Sequence, residues 1–217
     1  MWLTGFGAAF ETCSVNDVFW QIPGDFEYDT PAGESALKSM LDIPDKVYEG
    51  KCELCLGEIE VHPNDPKHLI DTYGTYGLLY NWFPVEAQAI RRITGKPRSE
   101  FFAISHDYLK AALMPPERWF PYEQTIVLLL QGLEGAKEVR KMDTVKLGKI
   151  VDDPSDRSQL SGPMQQIERT ERVLKLYWRE QNKGNGNWPD MFRKLDAQSE
   201  QVRGAALIIM QQLLGLP

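Results

Sequence analysis

Two cysteines three residues apart give the sequence its clearest chemical signal. Cys52 and Cys55 are followed by Gly57, which permits a tight backbone turn, and Lys51 favours the thiolate form of its neighbour. Two thiolates at this spacing can occupy neighbouring corners of a tetrahedral zinc site. A structural zinc ion needs two further ligands, so the motif predicts half of a zinc-knuckle-like site.

The other ligands must come from elsewhere in the chain. Cys13 together with His62 or His68 would complete a set of three cysteines and one histidine around a structural zinc ion. Two alternatives remain open: both thiols are unligated and at least one packs as a small apolar side chain, or the two form a redox dithiol. The count of three cysteines is odd and the first residues lack the basic region of a secretory signal. We therefore expect a reducing, cytoplasmic location rather than a disulfide framework.

A second group of residues could bind a phosphate backbone. Residues 91–98 contain four bases and no acid, namely Arg91, Arg92, Lys96 and Arg98. Such a patch makes salt-dependent contacts with nucleic acid. The alternative is that these cations stabilise the carboxyl end of a helix. The stretch 137–149, with five bases against two acids, allows the same kind of interpretation.

The distribution of charge indicates that any contact with nucleic acid is local. The chain of 217 residues has a net charge of −7. Residues 1–50 contain nine acids and two bases, and so carry all of the net charge. A free-standing nucleic-acid-binding protein usually has a basic surface. The composition therefore favours a small basic patch, or a complex whose other subunits supply the positive charge.

The elements that must position these residues are predicted to be mostly helical. A helix over about 33–41 follows the start signal Thr30-Pro31, and a strand-like alternation covers 58–62. Pro84 and Gly95 bound another helix, and Ser105 could cap the next. Residues 125–130 are an apolar run that fits a buried strand or a buried helix. Residues 136–163 are polar and rich in turn formers, which predicts a loop.

The last part of the chain predicts a helical hairpin. Its first helix covers about 164–182, a Gly- and Asn-rich turn follows at 183–187, and the second helix begins near Pro189. Residues spaced alternately by three and four form a seam that requires a partner helix: Phe192, Leu195, Ser199, Val202, Ala206, Ile209 and Leu213.

The fold class that follows is mainly α, with some β structure. We expect two regions: residues 1–150, with the acidic segment, the CxxC module and a helical core, and residues 151–217, with the hairpin. The N-terminal part is expected to be irregular and zinc-knuckle-like. No run of eighteen apolar residues occurs, so neither a transmembrane helix nor a membrane partner is expected.

The sequence resembles the small Cas8-like subunit of type IV CRISPR effector complexes. The likeness depends on the run KCELCLGEI at residues 51–59, on residues 98–109 followed by Pro115-Pro116 and Phe120-Pro121, on chain length and on a helical C-terminal part. The resemblance implies a non-enzymatic subunit of an antiviral nucleoprotein complex. Such a subunit contacts other subunits, crRNA and target DNA, here through the local basic patch, and contains structural zinc.

Two alternative functions remain open. The run from Cys52 to His62 also resembles the opening of an HNH nuclease, in which His62 would act with a metal ion, although Pro63 occupies the position of the paired histidine. The acidic segment 1–50 could instead mimic nucleic acid in a phage or plasmid accessory protein that binds and inhibits a host protein. His106, between Ser105 and Asp107, cannot form a relay with them, because adjacent side chains on a helix diverge.

Overall fold

The computed structural model describes residues 13–23, 26–27, 29–61, 65–112, 124–149, 151–152 and 161–214. Helices contain 62% of the described residues and the strands form a small mixed sheet and two short ribbons. The expectation of a mainly α fold with some β structure is therefore confirmed.

The helices are numbered here in chain order. They are α1 (Pro31–Tyr48), α2 (Pro66–Leu69), α3 (Tyr76–Trp82), α4 (Pro84–Ile93), α5 (His106–Ala112), α6 (Gln124–Gln131), α7 (Ser161–Asn182) and α8 (Trp188–Leu214), and a π-helix (Ile70–Thr75) joins α2 to α3. The strands are β1 (Val18–Gln21), β2 (Phe26–Glu27), β3 (Leu54–Ile59), β4 (Phe102–Ser105), β5 (Leu133–Glu134), β6 (Lys137–Glu138), β7 (Met142–Gly148) and β8 (Val151–Asp152).

The described elements belong to two compact units, each made of two separate stretches of sequence. The first unit comprises residues 1–60 and 96–153, and the second comprises 61–95 and 154–217. The boundary predicted near residue 150 is close to residue 153, where the chain passes from the first unit to the second. Residues 61–95, expected in the N-terminal region, instead share a unit with the hairpin, because its apolar seam packs on α3.

The first unit is built on a four-stranded sheet in the order β1-β4-β3-β7. The β1–β4 and β4–β3 pairs are antiparallel, whereas β3 and β7 are parallel. Helix α1 packs against this sheet and contributes one side of a buried core: Ala36, Met40, Ile43, Val47, Cys52, Cys55, Phe101, Ala103, Val145 and Leu147.

Helix α1 begins where the sequence predicts but ends later. Thr30 caps it, since its hydroxyl accepts a hydrogen bond from the amide of Gly33 at 3.0 Å. The helix continues through Pro44 to Tyr48, seven residues beyond the predicted end. Burial of Ile43 and Val47 against the sheet offsets the hydrogen bond that Pro44 removes. The expected irregular structure up to residue 50 is therefore wrong for this segment.

The strand containing the second cysteine also differs from the expectation. The sequence alternation suggested a strand over 58–62, but β3 covers Leu54–Ile59 and almost all of it is buried. A central strand that is covered on both faces does not alternate in polarity, so polar–apolar alternation does not locate it. The ambiguous run 125–130 lies in helix α6. Part of the predicted loop 136–163 forms β7, which pairs with β3, while residues 153–160 lie outside the described residues.

The second unit contains the predicted hairpin. Helices α7 and α8 are joined by a turn at 183–187, as expected, and α3 packs against the seam of α8. Ser199, Ala206 and Met210 are buried on that seam, whereas Leu213 is 44% exposed, contrary to the predicted pattern. The predicted seam assumes 3.5 residues per turn, whereas a straight α-helix has 3.6. Toward the end of α8 the buried face therefore includes Met210 and leaves Leu213 exposed.

Candidate functional site

The two cysteines of the CxxC motif both belong to the core of the first unit. Cys52 is in the bend between α1 and β3, and Cys55 is the second residue of β3. Each thiol is the leading influence on the pKa of the other. Both are reduced and buried, with exposed fractions of 3% for Cys52 and 0% for Cys55. Gly50, at φ 70°, makes the left-handed turn that leads the chain from α1 into this bend.

The electrostatic surroundings give the two sulfurs different acidities. The Cys55 thiol lowers the pKa of Cys52, and the Lys46 ammonium acts in the same direction. The Cys52 thiol and burial raise the pKa of Cys55. Lys46 is held in place by Asp143 on β7, to which its Nζ donates a hydrogen bond at 2.7 Å. The arrangement therefore makes Cys52 the more acidic of the two thiols.

The structure brings Cys52 and Cys55 together but does not complete a zinc site within the described ranges. Cys13 is partly buried in the segment before β1. His68 lies on α2 in the second unit, where its Nε2 is 3.3 Å from the Thr72 hydroxyl, and His62 lies outside the described residues. Among the residues that the structure describes, no three His, Cys, Asp or Glu side chains are grouped to hold a metal ion. The zinc-knuckle turn is not confirmed, and zinc binding stays a prediction.

The four predicted phosphate-binding residues divide between the two units. Arg91 and Arg92 are exposed in the last turn of α4, in the second unit. Lys96 and Arg98 are partly buried in the segment that follows, in the first unit. The last turn of a helix also favours cations, which accounts for the placement of the two arginines without any ligand.

Sequence reasoning missed two tyrosines: Tyr76, which contacts Arg91, and Tyr80, which contacts Tyr76. The Arg91 guanidinium carbon is 4.4 Å from the centre of the Tyr76 ring, and the Tyr76 hydroxyl donates a hydrogen bond to the Thr94 carbonyl at 2.5 Å. Burial raises the pKa of Tyr76, Arg91 opposes this rise, and Asp71 adds to it. The Tyr80 ring, 43% exposed, is 6.2 Å from the Tyr76 ring.

Arg91 and Arg92 are consecutive exposed residues of α4, and the exposed Tyr80 lies on the preceding helix α3. We call these three side chains, with the buried Tyr76, the tyrosine–arginine surface. The spacing of four between the two tyrosines, on the helix before the arginines, was the sequence signal that could have identified it.

Two of the five bases in the second basic stretch pair with acids in β3 or directly before it. Arg140 pairs with Glu53, with 2.7 Å between Nη1 and Oε1. Lys146 pairs with Glu58, whose carboxylate is buried in the sheet. The positive charge of residues 137–149 therefore serves in part to hold β7 against β3.

His106 is buried at the start of α5, where its ring stacks on Phe19 with 6.4 Å between ring centres. Its Nδ1 is 3.3 Å from an Asp107 carboxylate oxygen. The helix is capped by Ser105, as expected, whose hydroxyl accepts from the amide of Tyr108. The position of His106 is that of a core residue.

Comparisons with protein-family models, curated proteins and solved structures find no significant match to this chain. Within the described ranges, none of the helices is both long and apolar enough to cross a bilayer. A functional assignment therefore depends on the two groups of side chains described above.

Proposed function

We propose that the chain is a non-enzymatic subunit of a nucleoprotein complex and that it binds nucleic acid at the tyrosine–arginine surface. The observation that carries the proposal is the Arg91 guanidinium stacked on the Tyr76 ring, with exposed Arg92 and Tyr80 on the same unit. A guanidinium whose plane is supported by an aromatic ring loses little further freedom on binding a phosphate.

The composition of this surface favours a single-stranded ligand. Arg91 and Arg92 can form charge-assisted hydrogen bonds with phosphate oxygens. The exposed ring of Tyr80 can stack on an unpaired base, which a duplex does not offer. Such a surface would hold crRNA, or a displaced strand of target DNA, with little dependence on sequence.

The charge of the whole chain supports a role inside a complex. Residues 1–50 carry a strong negative charge, which disfavours a nucleic acid that lies along the whole protein. Other subunits would therefore supply most of the phosphate contacts. The same acidic segment suits contact with a basic partner subunit.

Fluorescence anisotropy with labelled single-stranded RNA and DNA oligonucleotides tests the proposal. We expect binding that weakens steeply between about 50 and about 200 mM salt. Replacing Arg91 and Arg92 together by alanine should weaken binding about tenfold or more and lower the salt slope by about two. Tyr80→Ala should weaken binding with the salt slope unchanged, because it removes stacking and no charge.

Lys194→Ala is the matched control, because it removes an exposed cation from another helix of the same unit. Its affinity should equal that of the wild type. Salt-independent binding, or a double arginine variant that binds as well as Lys194→Ala, would contradict the assignment.

A further inference from the structure

Helix α1 has a second apolar side besides the one that packs on the sheet of the first unit. Leu37, Leu41 and Tyr48 are 38%, 54% and 77% exposed, and the half-buried Pro44 lies between the last two. The spacings of four, three and four residues bring these side chains to one side of the helix. We call Leu37, Leu41, Pro44 and Tyr48 the α1 stripe.

The pattern of the α1 stripe is that of a seam between helices. Single exposed apolar residues are common on protein surfaces and need no explanation. Here the exposed residues follow the alternating spacing by which one helix packs on another. From Leu37 to Tyr48 the stripe is about 16 Å long, which is three helical turns. The helix that presents it is already folded against the sheet, so a partner need not order it.

Acidic side chains border the α1 stripe. At about 100° per residue, Glu34, Asp42 and Asp45 fall on the flank of α1 opposite its buried side, with the stripe between the two. All three are exposed, and in the described part of the chain none of them is in an ion pair. Of the two bases in α1, Lys38 shares this flank and Lys46 is held in an ion pair with β7. The flank is therefore negatively charged.

We propose that the α1 stripe is the docking surface for a basic amphipathic helix of a partner protein. The partner helix would bury its own apolar residues, spaced by three and four, against the stripe. Lysines or arginines beside those residues would then face Glu34, Asp42 and Asp45. The inference rests on the proposed role as a subunit of a complex, and it names the chemistry of one neighbouring subunit.

The charge of the flank disfavours other occupants of the stripe. In a symmetric pair of two copies, α1 would pack on α1 and bring the same carboxylates close to each other. A nucleic acid or an anionic membrane surface would be repelled by them. A basic helix gains from both the apolar contact and the opposite charge.

The test uses the full chain and two labelled synthetic peptides of 18 residues, the length of α1. Both have leucines at alternating spacings of three and four. The other positions are lysine and alanine in the first peptide, and glutamate and alanine in the second. Fluorescence anisotropy should show that the glutamate peptide binds at least about tenfold more weakly than the lysine peptide, because its charge has the sign of the flank.

One pair of variants tests the apolar contact. Leu37→Ser/Leu41→Ser should weaken binding of the lysine peptide about tenfold or more, because it removes the centre of the stripe. Val139→Ser is the matched control, since Val139 is a similarly exposed apolar residue of the first unit outside α1. Its affinity should equal that of the wild type.

A second pair of variants tests the charge. Asp42→Asn/Asp45→Asn should weaken binding of the lysine peptide several-fold and make it less dependent on salt. Glu60→Gln/Glu134→Gln is the matched control, because it removes two exposed acids from other parts of the same unit. Its affinity and salt dependence should stay close to those of the wild type.

Any one of four results would overturn the proposal. The chain binds neither peptide, or binds both equally. The double serine variant binds as well as Val139→Ser. The double asparagine variant binds as well as its glutamine control. Sedimentation shows a dimer that Leu37→Ser/Leu41→Ser dissociates, which would assign the stripe to a second copy of this chain.

Oligonucleotide binding by the same variants separates this inference from the proposed function. The α1 stripe belongs to the first unit, whereas the tyrosine–arginine surface belongs to the second. Leu37→Ser/Leu41→Ser should bind RNA and DNA as the wild type does, and the double arginine variant should bind the lysine peptide as the wild type does. Failure of peptide binding alone would contradict the α1 stripe, and failure of oligonucleotide binding alone would contradict the nucleic-acid contact.

Discussion

Ser199 shows how one buried hydroxyl holds two helices of the second unit together. Its Oγ accepts hydrogen bonds from Asn81 Nδ2 at 2.9 Å and from Trp82 Nε1 at 2.7 Å. Both donors lie on α3, whereas Ser199 lies on α8 and is completely buried. Sequence analysis included this serine in an otherwise apolar seam, and the structure gives the reason for its polarity.

Ser199→Ala is expected to destabilise the protein by about 1–3 kcal/mol. The substitution leaves the buried Trp82 Nε1 without this acceptor, whereas the partly buried Asn81 amide keeps its hydrogen bond to the Leu195 carbonyl. The cost of an unsatisfied buried group exceeds the worth of an average hydrogen bond. Urea unfolding followed by circular dichroism measures the change, with exposed Ser35→Ala as control. Equal midpoints for the two variants would contradict the role assigned to Ser199.

The raised pKa of Tyr177 predicts that the protein loses stability at alkaline pH. Burial, with a smaller contribution from Glu86, raises its pKa to about 12 from 10.0. The unfolded chain therefore loses this proton first, and the contribution of Tyr177 is complete below pH 10.0 and is lost as the pH rises toward 12. In this window the free energy of unfolding should fall by about 1.4 kcal/mol per pH unit because of this group.

Tyr177→Phe should remove that contribution while the other tyrosines continue to titrate. Urea unfolding of both proteins should therefore show that, between about pH 9 and about pH 11.5, the free energy of unfolding falls by about 1–2 kcal/mol more in the wild type than in the variant. Parallel curves would indicate that the hydroxyl has an ordinary pKa in the folded protein.

At the scale of elements, two helical glycines have opposite roles. Gly204 lies in the exposed middle of α8, and a Cβ added there meets nothing within 4 Å. Gly77 lies on α3, where an added Cβ would be 2.8 Å from Val202 Cγ1. Glycine thus weakens α8 at one position and permits close packing against α8 at the other.

Gly204→Ala should stabilise the protein by about 0.5–1 kcal/mol, because alanine restricts the unfolded chain and favours the helix. Gly77→Ala should destabilise it by about 1–3 kcal/mol, because the β-branched neighbour cannot move aside without strain. Thermal unfolding of both variants shows whether each substitution raises or lowers the melting temperature. A stabilising Gly77→Ala would contradict the close packing of α3 on α8.

At the scale of the whole molecule, the units are discontinuous in sequence, and this determines how the chain can be divided. A fragment of residues 1–150 contains nearly all of the first unit, which ends at residue 153, but only residues 61–95 of the second. Its α3 would lose the α8 seam, including the hydrogen bonds to Ser199. In hydrogen exchange followed by mass spectrometry, residues 76–93 should lose protection in the fragment, whereas α1 and β3 should retain it. Equal protection of 76–93 in the fragment and in the full chain would contradict this division.

Local signals in the sequence determined many of the elements but few of the contacts. The Thr30-Pro31 start of α1, the Ser105 cap and the hairpin turn depend on neighbouring residues, so they could be predicted. The end of α1, the position of β3 and the helical state of 125–130 depend on which surfaces are covered by distant elements. Periodicity in a short apolar run does not contain that information.

The candidate sites divide in the same way. The CxxC spacing by itself determined that two sulfurs would be neighbours, because three residues of backbone cannot separate them far. Only the tertiary structure decided that Cys55 lies inside a core strand, and that Lys46 and Asp143 lie beside the pair. Likewise the sequence identified Arg91 and Arg92, but packing of α3 and α4 gave Arg91 its aromatic support. Side chains far apart in sequence meet only when burial of apolar surface brings their helices and strands together.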